Sequence, residues 1–501
     1  MQQKLIIIGG GISGLSAGIY ALENGLDVTI IEKNPYLGGF CRGYYKGNNY
    51  IDICIHWFTG TKEYDPINKI WNDIGAINKN TKIIELPSLC SYENKFHLYR
   101  DMTKSMDEWI QNAPEDELEI KNFFQMAKRF IVFNLMNINK PYEQLEAEDV
   151  MSMVKNKYGK LYSFVKSLKI SRKEYAKKFK NKELRTFLEN AQPGYCSLFC
   201  LLYVYTNFVN GDCDLISGGA LPLVNNIKSK YESLGGKYIL NEEVNKIIIK
   251  NNKAIGVKAK NASYFADYII SCCDSIYVMN KLLDKRFKHE KMIKCYDDTK
   301  NYNLPSAFQV TLLVEGDLSK FDTSNIISIP SIKIGKHFFK TMTFRNYSYE
   351  PSVYVKNNKT LCHLFIDQTN DDYCFWEEIK NKNKYETHKQ NLAKKLCKAF
   401  INKYPNFKNK LQIIDIFTPL TLNKFNNATC GAYMSFSIKD KKNAFVCDGR
   451  IEGLNNFLLS GQFVSSPGGL PFAAATGKYA IIRMCKDLKI EFKEPNGGCQ
   501  L

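Results

Sequence analysis

Residues 4–14 constrain the fold of this chain more than any other segment. Lys4-Leu5-Ile6-Ile7-Ile8 runs straight into Gly9-Gly10-Gly11-Ile12-Ser13-Gly14, after which Leu15, Ile19 and Leu22 recur at helical spacing. A continuous apolar run that gives way to a 3.6-residue period across a glycine cluster reads as buried strand, tight turn and helix. Gly9 permits the sharp turn, Gly11 lets a pyrophosphate approach the backbone, and Gly14 allows the helix to pack closely on the strand. Ile12 and Ser13 open the helix, where free amides face the phosphates. A second strand, Asp27 to Ile31, delivers Glu32 18 residues beyond Gly14, followed by Lys33. A carboxylate there accepts hydrogen bonds from a ribose. Strand, turn, helix and acid together predict a dinucleotide site in an α/β fold.

With 501 residues, the chain is long enough for two or more structural units around large cores. Its 45% hydrophobic and 24% charged residues exclude a disordered chain. No C-x-x-C occurs among the 16 cysteines, and the six histidines show no ligand spacing, so a protein metal site is not expected. The first strand begins at Lys4, which leaves no room for a signal peptide and predicts a cytoplasmic protein with reduced thiols. The longest uncharged apolar run, Cys196 to Val209, has 14 residues against the ~20 that a spanning helix needs.

The residues after Glu32 separate the cofactor classes. Gly38-Gly39-Phe40-Cys41-Arg42 places a second glycine doublet just behind the acid, and from here the chain resembles the phytoene desaturase-like FAD oxidoreductases. This is the branch of the amine oxidase superfamily that holds carotenoid desaturases, carotenoid isomerases and retinol saturases. Tyr50 to Gly60 is similar to the family's second strand, and Leu98-Tyr99-Arg100-Asp101 with Ala113-Pro114-Glu115-Asp116 to a further family stretch. Leu458-Leu459-Ser460-Gly461-Gln462-Phe463 and Ser466-Pro467-Gly468-Gly469-Leu470-Pro471 resemble its carboxyl-terminal signature. One departure is Phe40, where many members carry arginine; Arg42 is the nearest substitute.

The resemblance implies FAD as cofactor, a lipophilic polyene or isoprenoid as substrate, and desaturation, saturation or isomerisation as the reaction. It also implies that the backbone of Val244 reaches the adenine. Asp52, His56 and Trp57 are the candidates for a flavin-facing strand, His56 and Trp57 with a catalytic role. Independently of the family, Leu454 to Ser460 reads as a buried strand, Gly468-Gly469 as a turn, and Pro471 as the start of a helix through Ala480. That helix start can set its partial positive charge beside an electron-rich ring edge.

The expected fold class is a Rossmann-type FAD-binding domain with a discontinuous mixed α+β substrate domain. Residues 1–80, 211–280 and 436–501 are assigned to the first, 81–210 (mostly helical by pattern) and 281–435 to the second. Gly218 to Gly236 reads as turn, helix and cap, and Asn251-Asn252-Lys253 as a hairpin turn between short strands. A Lys-rich helix is expected over 376–402. No second fingerprint follows, so a dedicated nicotinamide domain is not expected.

The net charge of +18 is uneven: Lys155 to Arg185 holds 12 Lys or Arg against two acids. Ser171 with Glu174 reads as a capping box dividing two basic amphipathic helices, the second carrying Tyr175, Phe179, Phe187 and Leu188. Peripheral contact with an anionic membrane through 155–185 and a solvated face are both open. Nucleic acid is not an expected partner, because no binding module accompanies the charge. Two alternative functions stand beside the polyene reading: an amine oxidase with Tyr433 and Phe436 as an aromatic cage, and a basic flavoprotein acting on RNA.

Overall fold

The computed structural model describes residues 2–130, 140–146, 149, 170–191, 197–438 and 445–495. Lys4–Ile8 is the middle strand of a five-stranded parallel sheet. The spatial order is Phe457–Leu459, Tyr268–Ser271, Lys4–Ile8, Asp27–Ile31, Lys237–Ile239. The central strand is apolar without alternation because both faces are covered. Leu5 and Ile7 join a core built with the helices Ile12–Glu23, Ala220–Ser233 and Leu470–Leu488. Ile6 and Ile8 face the other way, onto Ile247 and Val257 of an antiparallel three-stranded sheet, Val244–Lys250, Lys253–Ala259 and Ser263–Phe265. Asn251 and Asn252 both take positive φ, as the hairpin turn read from the sequence requires.

A second sheet has Leu411–Phe417, Ser306–Glu315, Lys359–Gln368, His337–Asn346, Ser324–Ile334, Ser88–Tyr92 and Phe96–Tyr99 in that order, with the short Val355–Lys356 paired beside Lys359–Gln368. One face packs on the helices Asn370–Asn381 and Tyr385–Lys403, where Phe308 stacks on Trp376 at 5.6 Å. The opposite face carries polar side chains towards the site described below.

Within the block 81–210, read as mostly helical, Ser88–Tyr92 and Phe96–Tyr99 enter the second sheet. Three expectations change. The Lys-rich helix is two helices, parted at Asn383, whose φ of 55° is left-handed. Tyr50 to Gly60 is not one strand: Asn49–Ile51 pairs with Tyr44–Lys46 before Asp52 turns the chain, and beyond it Phe58 makes a single bridge to Asp214. Tyr175, Phe179, Phe187 and Leu188 do not share a helix. Arg172–Ala176 ends early, and Asn181 caps a separate helix, Lys182–Asn190, while the Asp116 carboxylate accepts from the amides of Lys180 and Asn181. Ser171 does accept from the Glu174 amide at the first of these helices. The remainder of the basic stretch, 155–169, lies outside the described residues, as does Cys196. Among the described residues no helix is long and apolar enough to cross a membrane.

Candidate functional site

Gly9 follows the first strand with φ at 95°, and its amide donates to the Ile31 carbonyl, which turns the chain tightly over the second strand. A Cβ at Gly14 would lie 2.0 Å from the Gly9 oxygen, so helix and turn are in contact there. Gly11 is different: a Cβ there meets nothing nearer than 3.8 Å, and the position opens onto a cavity of about 410 Å3. That volume is in the range of small-molecule sites.

Glu32 stands at the end of the second strand, buried, and lines the same cavity. Its Oε2 accepts from the Gly10 amide at 2.8 Å, and its Oε1 from the amide and side chain of Asn34, both at 2.8 Å. Three donors hold the buried carboxyl group in place, and its oxygens have capacity to accept more. Lys33 also lines it; its Nζ donates to Asn427 Oδ1 at 2.7 Å, and burial pulls its pKa down.

The carboxyl-terminal turn reaches the cavity from the far end of the chain. Gly461 and Gly469 have φ of 106° and 94°, and a Cβ at either would meet nothing nearer than 3.6 and 3.9 Å. The helix Leu470–Leu488 starts here with Pro471 in its first turn, one residue into the helix rather than first. Gln462 accepts from the Gly469 amide at 3.1 Å and donates to the Tyr433 carbonyl at 3.1 Å, fixing the turn to the segment beneath it.

Three comparisons bear on this arrangement. Residues 7–74 match the family model of the NAD(P)-binding Rossmann-like domain. Over 99% of its length the chain is 22% identical to prolycopene isomerase 1, chloroplastic, of an Oncidium hybrid cultivar, covering 86% of that protein. Over 95% it is 22% identical to the 1-hydroxycarotenoid 3,4-desaturase of Flavobacterium sp. (strain P99-3), covering 98% of that one. The chain is similar to phytoene desaturase-like oxidoreductases over nearly its whole length. Among solved structures, an oxidoreductase from Methanosarcina mazei aligns with a TM-score of 0.59 at 13% identity, over 96% of this chain and 100% of that one. Putrescine oxidase aligns at 0.57 and 13%, over 97% and 99%. At such identities these two report the fold.

The residues singled out from the sequence fall into two groups. Gly9, Gly11, Ile12, Ser13, Glu32, Lys33, Gly38, Gly39, Val244, Gly461, Gly468, Gly469 and Leu470 all line the one cavity, together with His56 and Trp57. Gly14 and Arg42 do not. Gly14 is occupied by helix packing, and the Arg42 guanidinium lies over the Tyr36 ring at 4.5 Å with Nη1 donating to the Leu37 carbonyl. Asp52, expected beside His56, is buried away from the cavity, its Oδ1 accepting from the Cys54 amide and its Oδ2 from the Ala220 amide. Tyr433 lines the cavity, but Phe436 is packed in the core between Tyr302, Phe445 and Phe463.

Sequence reasoning missed the second sheet's contribution. Gln309 and Phe365 line the cavity together with Trp57, Phe199 and Tyr203. Behind them, His363 Nδ1 is 3.1 Å from both Gln309 Nε2 and Thr311 Oγ1, and Nε2 is 3.1 Å from the Asp52 carbonyl. A carbonyl only accepts, so Nε2 carries a proton; the Gln309 amide nitrogen only donates, so Nδ1 is bare and His363 is neutral. Burial first, and Arg345 after it, lower its pKa to about 3. Burial, Arg345 and His363 likewise pull His56 well below its ordinary value. The signal available in the sequence was weak: polar residues at alternate positions of strands that are buried on both faces.

Proposed function

We propose that the chain is an FAD-dependent oxidoreductase acting on carbon–carbon double bonds of a lipophilic polyene or isoprenoid, by desaturation, saturation or redox-assisted isomerisation. The observation that carries this reading is a single cavity lined both by the dinucleotide fingerprint with Glu32 and by a largely apolar wall of Trp57, Phe199, Tyr203 and Phe365. The prolycopene isomerase and the 1-hydroxycarotenoid desaturase, similar over nearly the whole chain, are named for chemistry of this kind.

FAD fits the residues present. Gly11, Gly461 and Gly469 line the cavity with bare backbone and are uncrowded, with nothing nearer than 3.6 Å to an added Cβ, which is what a pyrophosphate and a flat ring need. In this reading Gly9, Gly11, Ile12, Ser13, Gly38 and Gly39 hold the pyrophosphate, Glu32 and Lys33 the ribose, and Val244 the adenine. Gly461, Gly468, Gly469 and Leu470 meet the ring, with the start of the Leu470–Leu488 helix placing partial positive charge at its electron-rich edge. When bound, FAD supplies two-electron chemistry at a carbon–carbon bond. The protein's part is to hold an apolar chain along Trp57 and Phe365 and to keep water out. His56, neutral and facing the cavity, is the group positioned to exchange a proton at an imidazole nitrogen.

The same reading divides labour between residues 1–80, 211–280 and 436–501 on the cofactor side and 81–210 and 281–435 on the substrate side. A polyene resides in membranes, and Lys173, Lys177, Lys178 and Lys180 are all exposed, so this reading gives them an anionic bilayer as partner. The amine oxidase reading loses one wall of its cage with Phe436 in the core. Heat-denatured protein should release FAD in stoichiometric amount, read by chromatography. Release of a nicotinamide nucleotide in its place would overturn the assignment.

A further inference from the structure

The second sheet sets one row of polar side chains across four neighbouring strands: Thr311 stands opposite His363, His363 opposite Arg345, and Arg345 opposite Ser324. Arg345 is only 5% exposed. Its Nε donates to the Tyr347 hydroxyl at 3.2 Å and its Nη2 to the carbonyls of Ile55 and His56 at 2.9 and 3.2 Å. No carboxylate of the described residues pairs with it. The contrast within the chain is direct: Arg483 and Lys478, 3% and 0% exposed, each meet a carboxylate, Glu143 and Glu494. Nearby Asp52 spends its oxygens on backbone amides.

A buried cation met only by dipoles has an unfilled preference for an anion. The remaining nitrogen, Nη1, donates to no described residue, and the guanidinium lines a small chamber of about 10 Å3 with Ser324, Thr343, His363, His56 and Gln309. That is room for about one water-sized oxygen. His56, Gln309 and Phe365 also line the large cavity, so the wall between the two spaces is one side chain thick. The ring of His56 makes no hydrogen bond to a described residue; it rests edge-on against Phe365 at 6.2 Å, so no hydrogen bond fixes it between the two spaces.

We propose that this chamber receives a terminal carboxylate oxygen of the substrate, which is therefore a carboxylate-ended polyene or isoprenoid chain rather than a pure hydrocarbon. The inference rests on the lipophilic-substrate reading above and narrows it. The apolar body lies along Trp57 and Phe365, one carboxylate oxygen meets Arg345 Nη1 and the hydroxyls of Ser324 and Thr343, and the charge of Arg345 acquires its partner. Such a charge-assisted contact fixes which end of the chain enters first and so which double bond reaches the ring.

The test uses the holoprotein and three probes of one chain length, retinoic acid, methyl retinoate and retinol, with binding read from quenching of tryptophan emission. The acid should bind roughly tenfold or more tightly than the ester, since a hydrogen bond to a buried charge is worth that much. Arg345→Gln should abolish the preference while leaving the ester's Kd unchanged. Equal affinity for acid and ester in the parent protein would overturn the proposal, and a preference that survives Arg345→Gln would remove Arg345 from it. Should Arg345→Gln fail to fold, Ser324→Val with Thr343→Val reads the same preference, and the parent series stands without either variant. Tight binding of ester and retinol without an advantage for the acid would leave the lipophilic-substrate reading intact; binding of none of the three would overturn both.

Discussion

Ser13 Oγ and Ser460 Oγ lie 2.8 Å apart although 447 positions separate them along the chain. Ser16 Oγ, one turn further on, donates to the Ala474 carbonyl at 2.7 Å, and a Cβ at Gly477 would lie 2.6 Å from the Ser13 oxygen. The fingerprint helix and the carboxyl-terminal helix are thus locked against each other. The two glycine turns that open onto the cavity, at Gly11 and at Gly469, are held by one rigid pair of helices.

Two glycines of one fingerprint should fail differently. Gly11→Val meets nothing nearer than Gly39 Cα at 3.8 Å, so the protein should fold with a Tm within a few degrees of the parent and be colourless. Gly14→Val drives a side chain into the Gly9 oxygen and should cost about 3 kcal/mol of stability, read by thermal unfolding, as overpacking does. Flavin retained at parental level in Gly11→Val would remove that turn from the site.

At the other turn, Gly469→Leu puts a side chain where the ring is proposed to lie, 3.9 Å from Met434 and otherwise clear. The backbone there carries a φ of 94°, so the substitution itself costs about 1–3 kcal/mol. The expected result is a shifted flavin absorbance or loss of the cofactor. An unchanged spectrum with unchanged turnover would place the ring elsewhere.

His363 gives a pH dependence of defined sign. Its folded pKa of about 3 lies below the unfolded value near 6.5, so between those values the unfolded chain binds the extra proton. Stability from a neutral His363 is therefore complete above about pH 6.5 and falls as the pH drops towards 3, by at most about 5 kcal/mol. Asp65 and Asp367, whose carboxyls burial pushes up to about 6, act in the opposite sense over part of this range. They are common to parent and variant. The stability gap between the parent and His363→Gln should then narrow on acidification from pH 7 to pH 4; a constant gap would show that His363 is not held neutral.

Membrane docking has its own test. Lys173, Lys177, Lys178 and Lys180 sit on a short helix and the turn after it, not on one long helix, yet all four side chains are exposed. The protein should sediment with anionic vesicles and release as salt rises. Replacing the four by Gln should weaken binding by about 4 kcal/mol at most. Equal binding to neutral and anionic vesicles would show a solvated face.

The strand, turn and helix at Lys4 to Glu23 were legible because each level of the sequence agrees: an apolar run, a glycine cluster, then a 3.6-residue period. The hairpin at Asn251-Asn252 was legible for the same reason, since asparagine tolerates the left-handed backbone its turn needs. Tyr50 to Gly60 misled, because an apolar run does not reveal that Asp52 will bend the chain by accepting from the amides of Cys54 and Ala220. The break at Asn181 depended on Asp116, 65 positions earlier, and no local pattern shows such a partner. Arg345 and His363 were invisible for a related reason. Their meaning comes from cross-strand register, which sets them opposite each other only once the sheet has formed.

The most direct measurement mixes photoreduced and oxidised holoprotein, each without oxygen, with a lipid extract rich in polyenes, and follows the products by chromatography and mass spectrometry. The account predicts a polyene that gains or loses two hydrogens, or one of unchanged mass and altered retention, with the outcome depending on the flavin's redox state. Polyenes unaltered in mass and retention under both conditions, together with peroxide released from an amine in air, would contradict it.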